Sequence, residues 1–171
     1  TTGSNNVAVG KEALDANTTG DTNTAVGANT LDANTTGDSN TAVGMQAMGT
    51  STTGSDNTAL GHSALFANTT ASNNTGIGRF ALGSNTTGAD NTAVGAFALD
   101  ANTTASSNTA VGYNAMTANT TGAFNVALGK NSLLSSTTAN NNVAVGYAAG
   151  YTLTTGSKNT ALGQSALEGC T

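Results

Sequence analysis

The sequence lacks the residues on which several large classes of proteins depend. It has no proline and no tryptophan, aromatic residues make up only 4% of the chain, and charged residues only 8%. Four bases against nine acids cannot neutralise a run of phosphates, so the composition argues against nucleic-acid binding. No apolar run is long enough to span a bilayer and no polybasic segment would hold the chain to one, so it is not expected to be membrane-embedded. Large apolar side chains are also scarce, and any core must therefore be thin.

Catalytic and metal-binding side chains are equally scarce. His62 is the only histidine and Cys170 the only cysteine, so an internal disulfide is excluded. A nucleophile with its base, or a full set of metal ligands, cannot be assembled from this inventory. The sequence therefore predicts that the protein is not an enzyme and has no catalytic residue, no cofactor and no metal site.

What the sequence does contain is one 17-residue unit, repeated ten times without insertion or deletion. The consensus reads Asn-Thr-Ala-Val-Gly-x-x-Ala-Leu-x-Ala-Asn-Thr-Thr-Gly-x-x. The glycine after the apolar residue recurs at Gly10, Gly27, Gly44, Gly61, Gly78, Gly95, Gly112, Gly129, Gly146 and Gly163. An asparagine precedes each of these by four residues, at Asn6, Asn23, Asn40, Asn57, Asn74, Asn91, Asn108, Asn125, Asn142 and Asn159. Such a period is typical of a solenoid, and residues 1–171 are predicted to be a single repeat domain of ten units, a fragment of a longer fibre.

Each unit contains two candidate strands. The first ends at a β-branched residue or leucine, and the second is centred on a leucine or methionine. Two glycines per unit and frequent Thr and Asn disfavour helix. One unit buries about two aliphatic side chains with its alanines, which cannot offset the entropy of ordering 17 residues. The units are therefore predicted to stack as coils of an all-β, parallel β-solenoid or β-roll, with one repeat per coil and like residues in contact. The predicted ladders contain Asn6, Asn23 and Asn40; Gly10, Gly27 and Gly44; Val9, Val26 and Val43; Leu14 and Leu31; and Thr18 and Thr35.

The first strand also indicates an oligomer. Thr24 and Val26 should point to one face and Ala25 to the other, and the alanine is nearly constant among the units. A strand whose second face is also small and apolar is a candidate for burial on both sides. The coil wall would bury one face and a partner chain the other.

The motif resembles that of a known family. Asn6-Val7-Ala8-Val9-Gly10, with similar segments at Asn125 and Asn142, resembles the Asn-Ser-Val-Ala-Ile-Gly motif in the head repeats of trimeric autotransporter adhesins. The Asn-Thr-Ala-Val-Gly form is also similar to repeats of bacteriophage tail fibres and bacterial surface proteins. The resemblance implies a trimer of left-handed parallel β-rolls, exposed on a cell or virion and used for attachment. The unit here is longer, the extra length falling in the Asn-Thr-Thr-Gly segment.

The residues outside the consensus include one histidine and several aspartates. His62 directly follows the repeated glycine, at a position that varies freely among the units, and this predicts a surface role. Asp15, Asp32 and Asp100 share one repeat position, and another is shared by two more aspartates, Asp21 and Asp38. Calcium requires six to eight oxygens, and a turn role is the commoner explanation for repeated aspartates.

Aromatic residues are the candidates for surface contacts. Phe80 and Phe97 share one repeat position, and Tyr113 and Tyr147 share the preceding one, so that one edge of the rod is expected to carry an aromatic strip. Such residues contact glycans or proteins, or pack against a neighbouring chain. The Asn-Thr-Thr triplets also match the N-glycosylation pattern, at Asn17, Asn34, Asn68, Asn85, Asn102 and Asn119.

Together these features predict a non-enzymatic structural or adhesive fibre segment, outside the cell or on a virion. Its partners would be further copies of itself, as a homotrimer or filament, and a host-surface glycan or protein. Two alternatives remain open. One is ice binding by the threonines that recur from Thr18 to Thr171, and the other is end-to-end assembly into a filament, since atypical polar caps are not evident.

Overall fold

The computed structural model describes residues 2–169, a range that leaves out Cys170 and Thr171 of the predictions above. Within it the chain forms ten three-residue strands and no helix. The strands are β1 Val7–Val9, β2 Thr24–Val26, β3 Thr41–Val43, β4 Thr58–Leu60, β5 Thr75–Ile77, β6 Thr92–Val94, β7 Thr109–Val111, β8 Val126–Leu128, β9 Val143–Val145 and β10 Thr160–Leu162.

All ten strands lie in one parallel sheet, in the order of the sequence. Each strand pairs with the next, in a register that joins residues 17 apart, such as Ala25 with Ala42. One repeat is therefore one coil, and the predicted parallel β-solenoid is confirmed. At roughly 4.8 Å between paired strands, the nine intervals from β1 to β10 give a sheet about 43 Å long.

The rest of each coil consists of turns, and the prediction of a second strand around the leucine is wrong. Leu99 has φ +52° and Phe97, two residues earlier, has φ +60°. Left-handed residues cannot continue an extended strand. A 17-residue circuit must close on itself, and these residues supply the sharp changes of direction. The turns still bond to the next coil, since Leu99 N–H donates to the carbonyl of Ala115 at 3.0 Å.

The interior is narrow and is lined by small side chains. The middle residue of every strand from β2 to β9 points inward and is buried. A column of leucines and methionines, which includes Leu82, Leu99 and Met116, fills the centre and is likewise inaccessible. Two columns of asparagine complete the interior. An alanine column fits this space because a larger side chain on the strand would meet the leucine column across it.

The valines of the strands face outward, which corrects the expectation that each unit buries two aliphatic residues. Val9 is 57% exposed, and Val26 and Val43 are half-buried. The large buried aliphatic side chains are this column of leucines and methionines and, in the unit where Gly150 takes the place of the leucine, Leu153. Valine stacks on valine along the rod as predicted, but on its surface: Val26 lies opposite Val43 in the register.

The glycine after each strand from β1 to β9 forms a corner that no other residue would fit. Gly95 has φ +132°, and a Cβ placed on it would lie 2.5 Å from the carbonyl oxygen of Gly112 and 2.6 Å from its carbon. Each coil therefore approaches the next, backbone on backbone, at this corner. Positive φ and the close approach of the neighbouring backbone each favour glycine here.

Candidate functional site

The first asparagine of each unit forms a buried hydrogen-bonded ladder, here called the strand-side ladder. The backbone N–H of Asn23 donates to Asn6 Oδ1 at 2.8 Å, and Asn23 Nδ2 donates to the carbonyl of Gly37 at 2.8 Å. The same backbone-to-amide bond recurs in each following coil up to Asn159. Each asparagine thus bonds to the preceding coil through its backbone N–H and to the following coil through its side-chain amide, at the point where a strand begins.

A second column, here called the turn-side ladder, contains the asparagines of the Asn-Thr-Thr triplets. Asn34 Nδ2 donates to Asn17 Oδ1 at 3.0 Å and to the carbonyl of Gly37 at 3.1 Å. The Gly37 carbonyl therefore accepts from both ladders. The strand-side amides bond to a backbone N–H and a backbone carbonyl, and the turn-side amides bond to one another and to the same carbonyl. These bonds explain how a half-polar interior is stable.

Burial of the turn-side ladder also determines whether the asparagines that match the N-glycosylation pattern are accessible. All six asparagines of the matching triplets are buried, and Asn17, the most accessible of them, is only 8% exposed. Their amide nitrogens donate hydrogen bonds inside the solenoid. The folded chain therefore offers none of these six nitrogens to a glycosyltransferase.

The turn-side ladder is interrupted at two serines. Ser51 and Ser136 are fully buried, and the Oγ atom of each has no hydrogen-bond partner. The Oδ1 atoms of Asn34 and Asn119, one coil earlier, are orphaned as well. Each serine is too short to donate to the asparagine behind it. Both serines therefore leave a pair of buried, unsatisfied oxygens. The ladder ends at Leu153, which packs into the hydrophobic core at the same repeat position.

Threonines form a third ladder, between coils. Thr18 Oγ1 donates to the carbonyl of Thr35 at 2.9 Å, and Thr35 Oγ1 donates in turn to Thr52 at 3.0 Å. The series continues through Thr137. These hydroxyls are donors within the solenoid. The next threonine of each unit is exposed, from Thr19 through Thr155.

The outer surface of the sheet has hydroxyls as its only polar side-chain groups and carries no charge. Each strand presents two outward residues, its first and its third, and all twenty are Thr, Val, Leu or Ile. Leu60 is 47% exposed, Val111 37% and Leu128 36%. This outward strand face runs the full length of the rod without a single charged residue.

Aromatic side chains meet along one edge of the rod, next to the outward strand face. The ring centroids of Phe80 and Phe97 are 5.9 Å apart and the rings are nearly parallel; Tyr113 meets Phe97 edge-on at 6.2 Å. His62 meets Phe80 edge-on at 5.4 Å. These four rings, in four consecutive coils, are here called the aromatic strip. Tyr147 lies two coils beyond Tyr113 and is 50% exposed.

Cations lie over the aromatic strip, a placement that the repeat pattern did not predict. The guanidinium carbon of Arg79 lies 5.1 Å from the centroid of Phe80 and 5.5 Å from that of Phe97. Lys130 Nζ lies 5.8 Å from the centroid of Tyr113. The available signal was that both bases occupy the repeat position directly after the corner glycine, one step from the rings.

The repeated aspartates serve different structural roles. Asp38 Oδ1 accepts from the backbone N–H of Asp21 at 2.7 Å, and Asp21 accepts from Ser4 one coil earlier. Burial raises the pKa of Asp100 above its ordinary value. Among residues 2–169, His, Cys, Asp and Glu form no group of three that could hold a metal ion.

Comparison of the chain with protein-family models, with curated proteins and with solved structures found no match. The resemblance to adhesin head repeats therefore depends on the repeat motif alone. Over the described range, the chain forms no helix long and apolar enough to cross a membrane. The geometry defines a β-solenoid with three internal ladders, one uncharged face and one aromatic edge.

Proposed function

We propose that this chain is a segment of an extracellular fibre with a structural or adhesive role and no enzymatic activity. The observation that carries the proposal is the outward strand face, which remains uncharged through ten strands. The other surfaces of the rod carry the charges of an acidic chain with formal net charge −5. An apolar surface of this extent is typical of a protein–protein interface.

In the proposed fibre the outward strand faces of several copies pack together. Their Val, Leu and Ile side chains would be removed from water at roughly 25 cal/mol per Å² of buried apolar area. No charge would have to be desolvated. The motif resemblance supports a homotrimer of left-handed coils on a cell or virion surface, with a host glycan or protein as the partner to be bound.

The oligomeric state tests this proposal. Light scattering coupled to size exclusion should give the mass of a trimer, a multiple of 16.5 kDa. Val94→Lys should convert it to a monomer by placing a charge in the interface. Thr87→Lys is the matched control, since Thr87 is exposed in the preceding turn, outside the outward strand face. A wild-type monomer at high micromolar concentration, or equal effects of the two substitutions, would contradict the proposal.

Ice binding is a second candidate, and one observation favours it. The exposed threonines from Thr19 through Thr155 form a column with a spacing of about 4.8 Å, held rigid by the threonine ladder beside it. Thermal hysteresis in the wild-type protein, lost on Thr87→Lys, would favour this candidate over the fibre. Filaments in electron micrographs that persist in Val94→Lys would instead favour end-to-end stacking.

A further inference from the structure

The aromatic strip combines two kinds of group that proteins use to bind sugars with acidic substituents. Phe80, Phe97 and Tyr113 supply apolar ring surface, and Tyr113 is 49% exposed. Arg79 and Lys130 supply cationic donors held over those rings. The stacking restricts the guanidinium to one place, so that less side-chain entropy is lost when it binds an anion.

The charge at this edge is opposite to that of the whole protein. The chain has nine acids and four bases, yet two of the four bases lie over the aromatic strip. From the second coil to the tenth, the two repeat positions after the corner glycine contain no acid. Both Arg79 and Lys130 occupy the first of these positions. One acid lies near the strip: a Cβ placed on Gly83 would be 2.7 Å from Asp100 Oδ1 and 3.3 Å from Phe80 Cδ1.

The same edge continues into a shallow cavity of about 300 Å³ in the second to fourth coils. Phe66 forms one wall, and Asn29, Gln46 and Asp32 contribute hydrogen-bonding groups. The cavity exists because Gly49 has no side chain at the repeat position where Asp32 and Phe66 have theirs. One aromatic wall with amides and a carboxylate is suited to a ring that carries several hydroxyls.

We propose that this edge binds a linear acidic polysaccharide, lying along the rod axis. Carboxylates of the polymer would pair with Arg79 and Lys130, its apolar ring faces would contact the aromatic strip, and hydroxyls of a neighbouring sugar would enter the cavity beside Phe66. A polymer is favoured over a single sugar because these features extend over seven consecutive coils and each alone is weak. The inference deepens the proposed adhesive function by naming the partner class.

Binding is tested with polygalacturonate, a uniformly carboxylated polymer, against neutral dextran by titration calorimetry at low salt. The wild-type protein should bind polygalacturonate more tightly than dextran, and more weakly as salt is raised. Arg79→Gln should weaken binding roughly three- to tenfold, the net effect of losing one hydrogen bond. Phe97→Ala should weaken it too, with the circular dichroism spectrum unchanged.

Lys158→Gln is the control because it removes one positive charge from an exposed residue outside the strip and should change affinity less than twofold. Equal losses from Arg79→Gln and Lys158→Gln would overturn the proposal in favour of diffuse charge attraction. Equal binding of dextran, or no binding of either polymer, would overturn it as well. The two proposals are tested by different variants. Arg79→Gln should leave the outward strand face and the oligomer mass unchanged, whereas Val94→Lys should convert the oligomer to a monomer and leave the aromatic strip intact.

Discussion

Replacing Ser51 by asparagine should stabilise the protein by completing the turn-side ladder. Ser51 lies between Asn34 and Asn68, and its Oγ atom and Asn34 Oδ1 are both buried without a partner. An asparagine could donate to Asn34 Oδ1, as Asn34 Nδ2 donates to Asn17 Oδ1 at 3.0 Å. Its own oxygen could accept from Asn68, as Asn68 Oδ1 accepts from the next coil at 3.0 Å.

The expected gain follows from the cost of the orphaned atoms. An unsatisfied buried polar group costs about 1–3 kcal/mol, and ordering an additional side chain costs roughly 1 kcal/mol. A net stabilisation of about 1–2 kcal/mol is expected, which corresponds to a rise in melting temperature of about 2–8 °C for a chain of this size. Space is available, because a coil with methionine at the leucine position already holds an asparagine: Met116 is followed by Asn119, as Met48 is by Ser51.

The assay is urea unfolding followed by circular dichroism, with the midpoint and slope measured for each variant. Ser136→Asn tests the second interruption independently and should give a similar gain. Ser84→Asn is the control, since Ser84 is exposed, and it should change stability by less than about 0.5 kcal/mol. A loss of stability in both ladder variants, at an unchanged slope, would refute the idea that the buried amides are linked from coil to coil.

Three other substitutions test the turns and the acids. Gly95→Ala should destabilise the protein by about 3–5 kcal/mol, because it combines left-handed backbone strain with overpacking. Gly163→Ala is the control: a Cβ at Gly163 meets no atom within 4 Å, so the strain alone should cost about 1–2 kcal/mol. Equal losses in the urea midpoints of the two variants would contradict the close approach of coils. Phe124 is 61% exposed and has φ +59°, a conformation that asparagine tolerates. Phe124→Asn should therefore stabilise the protein by about 0.5–1 kcal/mol. An unchanged melting temperature would argue against backbone strain at this residue. Burial raises the pKa of Asp100, so the folded protein binds this proton more tightly than the unfolded chain does, and stability falls as pH rises from the unfolded to the folded pKa. Asp100→Asn should therefore raise the melting temperature at pH 7 but not at pH 3. The same rise at both pH values, or an equal rise in Asp32→Asn at the same repeat position, would contradict this.

The stacking of coils could be predicted from the sequence because an exact period places each residue beside its counterpart. Asn23 and Asn40, for example, are required in the same place by the same neighbours, and the same holds for Gly27 and Gly44. The parallel register is a direct consequence of that period. Besides the period, this prediction required only that apolar and amide groups be buried together.

The direction of the strand side chains could not be predicted from hydrophobicity. Valine is more apolar than alanine, yet Ala25 faces inward and Val26 outward, because the space opposite the leucine column admits only a small side chain. Volume decided the orientation. The turn at the leucine was similarly obscured, since leucine rarely adopts φ near +50°. The only signal was Gly150, which replaces leucine in one coil and has φ +63°.

The aromatic strip was partly visible in the sequence. Phe80 and Phe97 share a repeat position, which places them in adjacent coils. Tyr113 occupies the preceding position, and its contact with Phe97 depends on the direction of two side chains around a turn. The placement of Arg79 over two rings depends on rotamers, which a repeat pattern does not specify.

The distance between chosen coils tests the central claim most directly, because stacking fixes how far apart residues lie for every 17 that separate them. Spin labels can be attached at exposed Thr36 paired with Thr104 or with Thr138, after Cys170→Ser removes the native thiol and with unlabelled protein in excess. The pairs span four and six coils, so electron–electron resonance should give narrow distributions that differ by about 10 Å, near 19 and 29 Å before allowance for the labels. Broad distributions, or distances that do not increase in proportion to the number of coils, would contradict the solenoid.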